Sequence, residues 1–291
     1  VKLPPIGFGC SPYRAGRGRV DLEAAVATAV ALGYRLFDVA ELYGNERAVG
    51  RALRRGAPAG GGPLVVVGKV WRTNFRPPAL RRACEGSLQR LGLECFDLYL
   101  LHAPEAWRHR GDLGEGDEIG WRELERRALP RDGGGRPELD DVPLDATWEA
   151  MRELRARGLC RAIGVSNFEP AQILSLGADP PAANQIEHHP LRTNAAVVTW
   201  CQERGIRLLA HSPLSAGGLL AAPPLRALAR RLGRSPAQIV LRWNLQRGLV
   251  PLPSSTDPAH LAENLGALDF DLDAEEMAAV GSLAPAPERG C

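Results

Sequence analysis

The sequence predicts an α/β protein, a (β/α)8 TIM barrel forming one domain over residues 1–291, and three observations carry that expectation. Eight short apolar runs of strand type are spread over the whole chain, segments of helical periodicity alternate with them, and no linker or break in composition divides the series. Runs buried on both faces imply a parallel sheet, and regular alternation with helices implies either a doubly wound sheet or a closed barrel. A doubly wound dinucleotide fold calls for GxGxxG after its first strand, which GFGCSPYRAGRG (7–18) does not supply cleanly. Eight units therefore favour the barrel.

The first run, PPIGFG (4–9), leads to DLEAAVATAVALG (21–33), a helix with Asp21 as N-cap and Gly33 as C-cap. RLFDVA (35–40) and NERAVGRALRRG (45–56) make the second unit, LVVVGKVW (64–71) and PPALRRACEGSLQRLG (77–92) the third. The fourth strand, FDLYLLHA (96–103), meets its helix, DATWEAMRELRARG (145–158), only after an insertion at 104–144 that contains GDLGEGDE and RDGGGRPE. Connections this long are usually functional or mobile, and a strand-to-helix loop lies on the catalytic face of a barrel, so the insertion is expected to overhang the pocket. CRAIGVSN (160–167) with EPAQILSLG (169–177), AANQIEHH (182–189) with TNAAVVTWCQERG (193–205), and IRLLAHS (206–212) with PPLRALARRLGRSPAQIVLRWNLQRG (223–248) continue the pattern. LVPLP (249–253) and DPAHLAENLGAL (257–268) complete it.

Composition narrows the function. Apolar residues are 45% and charged residues 24%, ordinary values for a globular chain with a sizeable core. A formal charge of +2 with interspersed signs leaves no electrostatic footprint for nucleic acid or an acidic membrane. The six cysteines form no CxxC pair and no zinc spacing, and read as reduced, mostly buried thiols of a cytoplasmic protein. No apolar run approaches membrane-spanning length, and VKLPPIGFGC lacks the regions of a secretory signal. The chain starts at Val1, which leaves an upstream transit segment and an organelle open. A monomer acting on a small molecule is expected.

In a barrel the reacting groups come from the C-terminal ends of several strands. Here those ends carry Asp38 with Tyr43 just beyond, Lys69, His102, Ser166 and Asn167, Gln185 and Glu187, His211 and Ser212, and Ser254 and Ser255. Lys69 stands out, because the chain uses arginine for nearly every other cation and has one further lysine, Lys2. A lysine gives a compact charge that fits beside a phenol, where the wide guanidinium fork does not. Tyrosine ionises near pH 10, so a nearby cation is needed before it trades protons readily near neutral pH. Asp38 is placed to hold that cation, and His102 to orient a carbonyl or share the proton. Singly, a Lys–Asp pair on a barrel rim reads as a structural ion pair and a strand-end histidine as a satisfied core residue. Their arrival together on strands two, three and four is hard to obtain from packing alone.

The segments GFG (7–9), GYRLFDVAELYGNE (33–46), GKVW (68–71), SLQRLGLECFDLYLLHAP (87–104), TWEAMRELRARG to IGVSNF (147–168), NQIEHHP (184–190), HLAEN (260–264) and FDLDAEE (270–276) resemble the aldo-keto reductase family. The resemblance spans almost the whole chain and implies carbonyl reduction by hydride transfer from a nicotinamide cofactor, without metal. It implies Tyr43 as general acid, Lys69 and Asp38 as the pair that tunes it, and His102 as the orienting group. Ser166, Asn167 and Gln185 would bond the nicotinamide carboxamide, and Ser212, Leu214, Ser255, Thr256, Glu263 and Asn264 would join them around the cofactor. The family also includes regulatory and structural members, so a cofactor-binding protein with little turnover is the alternative reading.

Four departures qualify the resemblance. Ala103 stands where many members carry Trp, which opens one wall of a substrate pocket otherwise lined by Trp71, Phe75 and Trp107. His211 replaces the aromatic residue that stacks on the nicotinamide. Ser254 and His260 replace the Lys and Arg that grip the 2′-phosphate, so NADPH is expected to be favoured by a narrow margin with NADH also accepted. The tail after Val280 is short, which removes most of a specificity loop. His188 and His189 are adjacent on a strand and point apart, so they do not readily share a metal, and Cys10 reads as an inert buried thiol.

Overall fold

A computed structural model describes residues 2–11, 21–56, 62–114 and 119–283. Eight parallel strands follow one another in sequence order around a single sheet. They are β1 (Phe8–Gly9), β2 (Leu36–Asp38), β3 (Val65–Val70), β4 (Leu98–Leu101), β5 (Ile163–Ser166), β6 (Ala183–Glu187), β7 (Arg207–His211) and β8 (Leu249–Leu252). The backbone N–H groups of Gly7 and Gly9 donate to the carbonyls of Pro251 and Pro253 at 3.0 and 2.9 Å, which joins the first strand to the last. The sheet thus curls into the expected barrel.

Between the strands run α1 (Leu22–Leu32), α2 (Glu46–Gly56), α3 (Pro77–Leu91), α4 (Trp121–Ala128), α5 (Leu144–Ala156), α6 (Pro170–Leu174), α7 (Ala195–Glu203), α8 (Pro223–Leu232), α9 (Pro236–Gln246), α10 (Pro258–Leu265) and α11 (Ala274–Gly281). The caps expected for α1 are present, with the Asp21 carboxylate accepting the Ala24 N–H and Gly33 in the left-handed region at φ 109°. Three elements differ from the sequence expectation. The apolar segment 223–248 is two helices, because left-handed Gly233 ends α8 and Ser235 starts α9 with a reciprocal cap from Gln238. The insertion is not loop throughout: it holds α4, which buries Leu124 and Ala128 one turn apart. Residues 115–118 of its GDLGEGDE stretch lie outside the described residues. Finally α11, missed from periodicity, is opened by a capping box between Asp273 and Glu276. Most of the short tail, 284–291, falls outside the described residues.

Strand alternation decides what faces the barrel axis. Leu36, Val67, Leu98, Leu100, Ala162, Ala183, Leu209, Val250 and Leu252 pack with one another inside the barrel. The intervening Phe37, Val66, Val70, Tyr99, Leu101, Ile163 and Leu208 pack in the main core, against the helices. Because side chains alternate with period two, the inward positions beyond that inner cluster are 38, 69, 102, 185, 211 and 254, with 166 following the inward Gly164. All seven are polar. Gly68 keeps Lys69 inward, since a Cβ at 68 would sit 2.5 Å from the Phe96 ring on the outer side. Among the described residues no helix is long and apolar enough to cross a membrane.

Candidate active site

The inward polar groups converge on one another at the C-terminal rim. Lys69 Nζ donates to both carboxylate oxygens of Asp38 at 2.7 Å and to the Val39 carbonyl at 3.0 Å. Gln185 Nε2 donates to Asp38 Oδ1 at 2.7 Å, so the pair is tied across the barrel. Lys69 and Asp38 are 1% and 3% exposed, a depth at which an ion pair persists only when its remaining hydrogen bonds are also made. Burial pulls the ammonium pKa down, but Asp38 and Tyr43 more than reverse it, and Lys69 remains a cation.

Tyr43 closes a short 3₁₀ turn, 41–43, and its ring centroid lies 5.0 Å from Lys69 Nζ. The sequence led to an expectation that the cation would ease the phenol toward ionisation. Instead burial pushes the phenol pKa up and outweighs the opposing pull of Lys69, so Tyr43 keeps its proton. His102 meets the Tyr43 ring edge-on at 6.0 Å and Trp71 at 4.9 Å, and its Nδ1 has no hydrogen-bond partner. Burial, then the charges of Lys69 and neighbours, drives its pKa well below the usual histidine value and leaves it neutral.

A cavity of about 750 Å³ opens over this group. Ser166, Asn167, Gln185, His211, Ser212, Leu214 and Ser254 line it, as expected, together with Gly9, Ser11, Pro213, Gly217, Leu252 and Pro253, which the sequence reading did not select. Its polar wall is a chain of bonds. Ser166 Oγ donates to the Gln185 carbonyl at 2.9 Å, and Asn167 Nδ2 donates to the His102 carbonyl at 3.2 Å and to Ser166 Oγ at 3.1 Å. The Asn167 oxygen therefore faces His211 Nε2 at 2.9 Å, which must carry the hydrogen, while Nδ1 lies 3.1 Å from Ser212 Oγ. Asn167 and Ser212 hold left-handed backbones at φ 61° and 56°, conformations non-glycine residues seldom adopt outside functional sites.

Other expected cofactor residues are not brought into that cavity. Ser255 Oγ lies 3.5 Å from His260 Nδ1 at the start of α10, and Thr256 and His260 are exposed. Asp257 Oδ1 caps α10 on the Ala259 N–H at 2.8 Å, and its Oδ2 lies 3.8 Å from His260 Nδ1. Glu263 accepts the Ser235 hydroxyl and, through its carbonyl, Gln238 Nε2, so it faces α9. Asn264 is 3% exposed beside Tyr34, whose hydroxyl donates to the Leu261 carbonyl at 3.1 Å.

The expected substrate wall is likewise elsewhere. Trp71, Ala103 and Trp107 are absent from the cavity lining, and Phe75 is buried in the main core. Ala103 is 1% exposed and follows the end of β4. Trp71 Nε1 donates to the Ala128 carbonyl at 2.6 Å, and Trp107 packs edge-on to Trp71. A second, apolar cavity of about 370 Å³ lies under α4, lined by Leu42, Tyr43, Trp121, Leu124, Glu125, Ala128 and Leu129. Tyr43 is the one residue common to both linings among the described residues. Only the insertion's length hinted at this second wall.

The remaining candidates are structural. His188 Nδ1 lies 2.7 Å from Asn244 Oδ1 and its ring stacks on Trp243, while His189 Nε2 faces Glu187 at 3.2 Å. Cys10 is fully buried, and burial raises its thiol pKa well above the usual value. Among the described residues no three His, Cys, Asp or Glu side chains are grouped to hold a metal.

Comparison with known proteins decides the family. The aldo/keto reductase family model matches residues 5–285. The chain belongs to the aldo/keto reductase family. It is 36% identical to aldo-keto reductase family 1 member A1 of Rattus norvegicus over 299 aligned positions, covering 97% of this chain and 86% of that protein. The Danio rerio member A1-A is 35% identical with the same coverage. Among solved structures, the aldose reductase of Schistosoma japonicum superposes with a TM-score of 0.86 at 34% identity, covering 100% of this chain and 91% of that one. The Giardia lamblia aldose reductase gives 0.83 at 32% identity, covering 96% and 92%. This aldo/keto reductase is accordingly an NAD(P)H-dependent oxidoreductase that reduces carbonyl groups, and its barrel is the fold of those aldose reductases.

Proposed function

We propose that this aldo/keto reductase reduces apolar, aromatic or medium-chain aldehydes and ketones with Tyr43 as the proton donor, preferring NADPH over NADH by a narrow margin. The observation that carries the reading is Tyr43's position, protonated and beside Lys69, at the junction of a polar and an apolar cavity. The polar cavity fits a nicotinamide: Ser166, Asn167 and Gln185 offer the donors and acceptors that a carboxamide needs, and His211 a flat face. Ser212, Leu214 and Ser254 would flank the rest of the dinucleotide, with Ser255, Thr256 and His260 beyond them. The apolar cavity suits the body of the substrate.

When bound, the reduced nicotinamide supplies a hydride to the carbonyl carbon. Tyr43 gives its proton to the carbonyl oxygen as negative charge develops there. Lys69 stabilises the phenolate that remains, and Asp38 with Gln185 keeps the ammonium in place. Neutral His102 donates an N–H that orients the carbonyl, a role its low pKa permits, whereas sharing the proton as imidazolium is disfavoured.

Tyr43→Phe tests this. Turnover is expected to fall by about 10²–10⁴-fold, the usual contribution of a general acid, with NADPH binding kept. Normal turnover in that variant overturns the assignment. A wild-type protein that binds cofactor yet turns over no member of a carbonyl panel would favour the regulatory alternative. The thiols at Cys10, Cys84, Cys95, Cys160 and Cys201 are free and suit a reducing compartment, and we read the protein as a cytoplasmic monomer of one domain.

A further inference from the structure

Next to the Tyr43 turn lies a buried carboxyl that has no part in the chemistry above. Glu41 opens the turn 41–43 and is 2% exposed. Its Oε2 accepts the backbone N–H of Trp71 at 3.1 Å, and its Oε1 accepts Asn74 Nδ2 at 2.6 Å. Trp71 and Asn74 lie at the two ends of the turn that follows β3, the strand of Lys69. One side chain thereby ties the segment carrying Tyr43 to the segment carrying Lys69.

The surroundings make this contact costly to keep. Glu46 on α2 and Arg90 on α3, paired at 2.7 Å, stand near it, as does the hydroxyl of Tyr99 on β4, which is buried without a partner. Burial pushes the Glu41 pKa up to about 8, against the pull of the Trp71 N–H, Arg90 and Asn74. Both direct partners reach it as donors, and Asn74 also has a buried Oδ1 without a partner, so it can turn over to accept from the acid form. An amide in place of Glu41 is met in the same way, whereas an apolar side chain leaves both donors without an acceptor. A packing demand alone is met more cheaply by an apolar residue, since an incompletely satisfied buried polar group costs stability.

We propose that Glu41 is a positioning residue for carbonyl reduction, its side chain holding the Tyr43 turn against the end of β3 so that the phenol stays beside the Lys69 ammonium. The proposal rests on the reading of Tyr43 as proton donor. Misplacing a reacting group by about 1 Å costs up to about 10²-fold in rate, so small slippage of this turn is enough to register.

The test uses the full chain with two variants and a control. Glu41→Leu removes both acceptors and is expected to lower kcat about tenfold while leaving the carbonyl KM and the NADPH Kd, read by fluorescence, unchanged. Glu41→Gln keeps an acceptor for the Trp71 N–H and offers its amide N–H to the Asn74 oxygen, and is expected to recover most of kcat. Unchanged kcat in the folded Glu41→Leu protein overturns the proposal, as does a loss that Glu41→Gln, folded by circular dichroism, fails to recover. Tyr43→Phe is measured in parallel. Normal turnover there removes the proton-donor reading and the positioning role with it, whereas a silent Tyr43 variant beside a fully active Glu41→Leu removes the positioning role alone.

Discussion

Two histidines of the expected site sit in opposite surroundings, His102 in the lining of the main cavity and His260 outside it at the start of α10. At the reaction end the partly buried His102 packs against Trp71 and Tyr43, and neighbouring strands hold the polar groups around it. At the α10 end the His260 side chain is 64% exposed, 3.8 Å from Asp257 and 3.5 Å from Ser255. The difference teaches where this enzyme is rigid and where it is tunable. Cross-strand bonds fix the reaction end before any ligand arrives, the condition for stabilising charge that develops during reaction. The far end relies on solvated side chains, whose ion pairs are worth about 0–1 kcal/mol each.

The largest effect is expected from breaking the rigid end. Lys69→Met leaves Asp38 buried without its cation, and breaking such a pair typically costs about 3–5 kcal/mol of stability. Melting temperature and turnover should both drop sharply. Adding Asp38→Asn should restore much of the stability, because the stranded charge is gone, and none of the activity. Recovered activity in the double variant would show that the pair serves structure alone. Changes at His260 should leave melting temperature nearly untouched, which calorimetry on His260→Ala checks.

A middle-sized effect is expected at the wall belonging to neither end. Trp121→Ala should lower kcat/KM for bulky apolar carbonyls by about tenfold and spare small aldehydes, since small changes in apolar pockets are worth roughly 10–200-fold in discrimination. Ala103→Trp, at a position 1% exposed that lines neither cavity, should instead overpack its surroundings and lower stability, with equal effect on large and small substrates. A substrate panel on both variants decides between the α4 wall and the Ala103 wall.

Much of the reaction end was legible in the sequence because it follows one rule, alternation along a strand. Asp38, Lys69, His102, Gln185, His211 and Ser254 are each the next inward residue after a barrel-filling side chain, and Ser166 follows the inward Gly164. Ala103, expected as a substrate wall from the likeness of LLHAP to the family, lines neither cavity. Helix α4 was hidden by its composition: WRELERRA is mostly charged, and only Leu124 and Ala128 mark its buried face. Glu263 and Asn264 sit on an exposed-looking helix whose partners, Ser235, Gln238 and Tyr34, come from distant segments. Glu41 had no motif to announce it. Its role depends on where Trp71 and Asn74 come to rest, which no local pattern encodes.

The smallest expected effect belongs to the tunable end. Ser254→Lys with His260→Arg should raise the NADPH over NADH preference, because both supply charge-assisted bonds to a 2′-phosphate. On the proposed reading, the anion in the wild-type chain would meet the hydroxyls of Ser255 and Thr256, the N-terminal amides of α10, and an imidazole. The helix cap takes up one oxygen of Asp257, and the other lies 3.8 Å from His260. Histidine is the residue whose charge changes between pH 5 and 8, and a phosphate beside it favours the charged form. The NADPH/NADH ratio of kcat/KM should therefore rise as pH falls from 8 to 6, by no more than about fivefold given the worth of an exposed pair. His102 adds no trend of its own, because burial keeps it neutral across that window and it contacts neither phosphate. The ratio measured at both pH values in wild type and His260→Ala isolates the effect: the slope should vanish in the variant. A large ratio, flat with pH in both, would mean that the phosphate is gripped by a permanently charged arginine and that this end is as fixed as the other.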